Sequence, residues 1–131
     1  GEFLGIRSEK SPHKLPNELS WQQFGKGMLV CHQAFLPKRS IAPNYILNNL
    51  SADIDWEIKC LKAANHPARF DGILALYLEG GVSHQNLFKS WKDRYTVLKH
   101  HFGFMQNLKN HFSIIFRADF LNILRLSKYI K

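Results

Sequence analysis

The reading turns on Met28–Leu61, MLVCHQAFLPKRSIAPNYILNNLSADIDWEIKCL. From Met28 to Leu36 the chain is apolar on both alternating sides. Met28, Val30, Ala34 and Leu36 share one face with His32, and Leu29, Cys31 and Phe35 share the other with Gln33. That double-sided pattern predicts an interior strand covered on both faces, ended by Pro37. Lys38 to Leu50 is a connection interrupted by Pro43. From Asp53 to Ala64 the spacing changes: Ile54, Ile58 and Leu61 recur at i, i+4 and i+7, which predicts a helix. Asp53, Asp55 and Glu57 at its start and Lys59 and Lys62 toward its end complement the helix dipole. Asn65, His66 and Pro67 stop it.

Working outward, Gly1 to Ser20 is punctuated by Gly, Pro, Ser and Lys and reads as loop with at most a short hairpin. Ser20 is a natural N-cap for a short helix over Trp21–Gly27, with Gly25 and Gly27 to end it. Ala68 to Leu78 predicts a second strand, apolar around Ile73 to Leu78, followed by the loop Gly80-Gly81-Val82-Ser83. A helix from about Asn86 to Phe102 follows, its expected core face Leu87, Trp91, Leu98 and Phe102 with Tyr95 beside it. Gly103 breaks that helix, and 104–128 predicts a last helical segment rich in Phe, Ile and Leu.

The net charge of +8 is uneven: residues from Lys89 onward carry +7 and those before it +1. The basicity belongs to the C-terminal part, which also holds Phe102, Phe104, Phe112, Phe116 and Phe120. Such a segment is either a core helix with a solvated face or an interfacial helix on an anionic membrane surface. Its apolar content argues against nucleic acid as partner. A role as an interface with a second subunit, giving a homodimer, is a further expectation. Cys31 and Cys60 each sit in an apolar pattern with no disulfide framework or zinc spacing. Together with the lack of a signal peptide or membrane-spanning run, this favours a cytoplasmic setting, peripheral on the inner face of the cytoplasmic membrane. The chain begins at Gly1 and reads as a fragment of a longer protein.

Four groups of residues could carry chemistry. Asp53 and Asp55 could chelate a divalent cation, but they open a helix instead of ending an apolar strand, and helix capping explains them as well. A carboxylate at a helix start beside a cleft can also act as a general base. His32 and Gln33, polar in a buried strand, must find partners: other core groups, or the hydroxyl or phosphate of a ligand. Gly80 and Gly81 would let backbone N–H groups approach a phosphate, with Ser83 and His84 following; an ordinary turn is the plainer reading.

In order and spacing these segments resemble bacterial family-2 glycosyltransferases of polysaccharide synthesis. The residues that carry the resemblance are Leu19-Ser20-Trp21, Cys31-His32-Gln33-Ala34, Ile41-Ala42-Pro43, Ser51-Ala52-Asp53-Ile54-Asp55-Trp56, Gly80-Gly81-Val82-Ser83 and Asp93-Arg94-Tyr95. The resemblance implies an α/β fold, the C-terminal, acceptor-side part of a GT-A nucleotide-diphospho-sugar transferase. Residues 1–85 would form that part and 86–131 a basic, aromatic-rich helical tail. It implies transfer from a nucleotide-sugar donor to a saccharide or lipid-linked acceptor, with inversion and with Asp53 as general base. His32, Gln33, Asp55, Gly80, Gly81 and Ser83 would contact substrate. A divalent cation, Mg or Mn, is implied for the complete enzyme, with His84 as a contributing ligand and the main DxD motif outside this chain. The other expectation is a non-catalytic, membrane-associating or oligomerising remnant without the donor-binding half.

Overall fold

A computed structural model describes the backbone of residues 2–4, 10–12, 15–78 and 85–113 and the side chains of 15–75 and 85–113. The α/β expectation is overturned. Helix accounts for 57% of the residues whose side chains are described, and no strand falls among them. Strand pairing among the described residues is confined to three-residue segments: β1 (Glu2–Leu4), β2 (Lys10–Pro12) and β3 (Leu76–Leu78). β1 pairs antiparallel with β2 and parallel with β3. Three such pieces do not make the sheet, flanked by helices, that a GT-A fragment requires.

The interior strand over Met28–Leu36 is not formed. Gly27 adopts φ 120°, a conformation that strains other residues, and turns the chain there. Beyond it, His32–Ala34 make a short 3-10 turn. Ala34 N–H donates to Cys31 O at 2.8 Å and Phe35 N–H to His32 O at 3.3 Å, so these donors close locally instead of building a ladder. The two-sided apolar pattern is real but serves another purpose. Val30 is buried, and Met28, Leu29 and Phe35 pack against a helical core. A chain threaded between helices needs apolar groups on both sides just as a covered strand does. The second predicted strand shrinks to β3, and Phe70, Ile73 and Leu74 before it are exposed.

The helices follow the sequence more closely. Trp21–Lys26 is a 3-10 helix, its entry fixed by Ser20 N–H donating to Gln23 Oε1 at 3.0 Å. α1 (Ala52–Ala63) buries Ile54, Ile58 and Leu61 as their spacing predicts. α2 (Leu87–Phe102) ends at Gly103, whose φ of 76° suits a residue without Cβ and whose N–H caps Lys99 O at 2.9 Å. Residues 104–113 form a further helix, α3. The remainder of the predicted last helix lies outside the described residues.

Phe24, Ile54, Ile58, Leu61, Val97 and Leu98 form one core, with Trp21 and Phe102 packed against it. Burying each large apolar side chain contributes roughly 1.5–3 kcal/mol. Half of the expected inward face of α2 is met: Leu98 is buried and Phe102 packs on the core, whereas Leu87 and Trp91 are exposed and Ser90 and Val97 are buried. The small Ser90 lets α2 approach α1 closely, and its carbonyl accepts from Ser51 Oγ at 3.5 Å. Asp93 reinforces this junction by accepting from Leu50 N–H at 2.8 Å and pairing with Lys89. The Leu50 N–H and then Lys89 hold the Asp93 carboxyl below its usual range. Lys89 also donates to Asn48 O at 3.1 Å, so the approach to α1 is fastened to the start of α2.

Candidate functional site

The start of α1 collects polar groups from three segments. Asp53 lies in the first turn, where the exposed N–H groups and the helix dipole favour a carboxylate. Its Oδ1 accepts from Ile54 N–H at 2.8 Å. Its Oδ2 lies 3.6 Å from His32 Nδ1, with the Asp53 side chain 25% exposed and that of His32 39%. The 3-10 turn that forms in place of the predicted strand brings His32 to the helix start but separates it from Gln33, the partner expected beside it. Gln33, its neighbour, is turned to Cys31, whose Sγ lies 3.9 Å from Gln33 Oε1.

Tyr45 supplies the third segment. Its ring stacks on Trp56 with centroids 5.0 Å apart and planes 14° apart. Phe35 meets the same indole edge-on at 5.7 Å. Trp56 Nε1–H donates to Pro43 O at 2.9 Å, which fixes the connection across α1. Tyr45 is nevertheless exposed to solvent. Burial raises the Tyr45 hydroxyl above its ordinary pKa, and the charges of Asp53, Glu57 and Cys60 add to that.

Behind Asp53, one turn on, Glu57 is wholly buried, and neither carboxylate oxygen has a hydrogen-bond partner. Burial, and then the neighbouring Asp53, push its pKa up to about 8. Cys60 continues the stripe; burial and then Glu57 raise its thiol. A signal for Glu57 was present in the sequence. It falls within the stripe of Ile54, Ile58 and Leu61, an acid on the inward face of an amphipathic helix.

Asp55 goes elsewhere. Residues two apart in a helix point to different sides, and Asp55 is buried against α2. Its Oδ1 lies 2.8 Å from His101 Nε2 and its Oδ2 2.7 Å from Lys59 Nζ. Lys62 Nζ approaches the other ring nitrogen, Nδ1 of His101, at 3.2 Å, and lies over the Trp21 ring at 4.3 Å. The ammonium can only donate, so Nδ1 accepts and Nε2 carries the proton given to Asp55. Burial lowers the His101 pKa, Lys62 and His100 lower it further, and Asp55 opposes the shift. This cluster joins α1 to α2 and faces away from Asp53.

Gly80, Gly81, Ser83 and His84 lie outside the described residues. Among the described ones no group of three or more His, Cys, Asp or Glu side chains could hold a metal ion. His84, the ligand that the resemblance offers to a cation, is not among the described residues. No described helix is long and apolar enough to cross a membrane. No family model matches the chain, and no match is found among the curated proteins or the solved structures.

Proposed function

We propose that this chain serves sugar transfer, with Asp53 as the base that activates an acceptor hydroxyl. The acceptor oxygen attacks the anomeric carbon of a nucleotide-activated sugar. The new C–O bond forms as the bond to the nucleotide diphosphate breaks, with inversion, and the acceptor proton passes to Asp53. The observation that carries this reading is the half-open carboxylate of Asp53 beside His32 and the exposed Tyr45 ring. An aromatic face next to a carboxylate suits a saccharide, whose C–H face packs on the ring while a hydroxyl is held by the acid. His32, 3.6 Å from Asp53 Oδ2, would hold a neighbouring hydroxyl of the acceptor.

The test is release of nucleoside diphosphate from a panel of UDP- and GDP-hexoses, in the presence of oligosaccharide or polyprenyl-phosphate-linked acceptors, by the complete native protein. Acceptor-dependent release is expected. Release that is indifferent to every acceptor, or none with any donor, contradicts the reading.

A second reading, a non-catalytic membrane-associating role, draws on the surface of α2 and α3. Phe88, Trp91, Phe104, Met105 and Phe112 are exposed there, in the part of the chain that holds most of the positive charge. Apolar side chains among lysines are the composition of an interfacial helix on anionic lipid.

A further inference from the structure

Glu57 has no place in the chemistry above, yet it is the most unusual group in the described protein. It is fully buried, carries two oxygens without partners, and sits one helical turn behind Asp53. Residues four apart are neighbours on a helix, and two carboxylates so placed repel each other when both are charged. No described ammonium or guanidinium pairs with Glu57. The titratable groups that face it are Asp53 and Cys60 from α1 and Tyr45 from the connection, each neutral or negative. His32 reaches Asp53 instead.

The surroundings divide the pair unequally. Asp53 has a backbone N–H donor, an imidazole, the dipole of the first turn and access to water. Glu57 has none of these, and an isolated charge away from water is far costlier than a neutral carboxyl. Resting on the reading of Asp53 as a base, we infer that Glu57 is its proton-holding neighbour: buried and unpartnered, it keeps its own proton, so that no second negative charge is set one turn behind Asp53. Glu57 is thus a positioning residue for the base's charge and touches no substrate. The raised Glu57 pKa is what such a pair requires.

The experiment is a carbon-13 NMR titration of the Glu57 side-chain carboxyl in this chain, in wild type and in Asp53→Asn. The Glu57→Gln spectrum assigns the resonance. A midpoint near 8 is expected in wild type, lower in Asp53→Asn, where the neighbouring charge is gone, yet still above the ordinary carboxylate range because the burial remains. A purely structural burial of Glu57 would leave the midpoint unmoved by Asp53→Asn, and that result overturns the inference. A wild-type midpoint in the ordinary carboxylate range overturns it as well. The titration needs no turnover. Coupled titration with full activity in Asp53→Asn sinks the base and keeps the pair; uncoupled titration with lost activity does the reverse.

Discussion

Asp55 and His101 meet inside the protein, Oδ1 2.8 Å from Nε2, with both side chains 4% exposed. This contact, not the apolar core alone, sets how α2 ends against α1. Removing one member leaves the other buried without its partner, and Lys59 and Lys62 lose their anchor. Asp55→Ala is expected to destabilise the fold by about 3–5 kcal/mol, read as a lower midpoint in urea unfolding. A change within about 0.5 kcal/mol, the usual size for surface substitutions, would contradict the buried pairing.

The same pair gives an acid limb. His101 has a lowered pKa in the folded chain. Its contribution is complete above the ordinary imidazole value, about 6.5, where it is neutral in both states. Below that the unfolded chain takes up a proton that the folded one resists, so stability falls with pH. His101→Gln should flatten this part of the profile.

Glu57 acts in the opposite direction. Its pKa is raised from 4.5 to about 8. Its contribution is complete below 4.5 and is lost as pH rises toward 8, because the unfolded chain ionises first. Glu57→Gln keeps the shape of the protonated acid without the charge. It is expected to gain on the order of 2–3 kcal/mol over wild type at pH 7 and little at pH 4, measured by urea unfolding at both. An equal effect at the two pH values would contradict the buried, protonated state.

How far these groups were legible in the sequence depends on range. The Ile54, Ile58 and Leu61 stripe, the stop at Gly103 and the turn after Ser20 are local patterns, and each is met in the structure. Asp53 at a helix start was equally visible. Met28–Leu36 was misread because alternation over so short a run does not separate a covered strand from a segment packed between helices. On α2 the apolar spacing locates Leu98 and Phe102 but not Ser90, because a small polar residue at a close helix contact carries no apolar signal. His101 meets Asp55 across 46 positions of chain, a pairing that no local pattern announces.

Gly25 offers a test of the packing between the first turn and α3. A Cβ there would lie 2.5 Å from Asn110 Nδ2 and 3.5 Å from the Phe102 ring. Asn110 is itself buried and accepts from Gln106 at 3.0 Å, so it has little room to yield. Gly25→Ala is expected to cost about 1–3 kcal/mol, as overpacking does. A thermal midpoint equal to that of wild type would contradict the close approach.

The membrane reading is checked by sedimentation with vesicles. Binding to phosphatidylserine-containing vesicles, weakened by salt and reduced in a Phe88→Ser, Trp91→Ser double variant, would support it. No binding at low salt would leave those side chains to another role.

The proposed base is tested most directly by the turnover of Asp53→Asn in the complete native protein, compared with wild type under identical donor and acceptor. Removing a general base costs about two to four orders of magnitude in rate. That loss is expected here, with far-UV circular dichroism and the urea midpoint close to wild type. Turnover within about twofold of wild type would contradict it, since general-base catalysis contributes at least about a hundredfold.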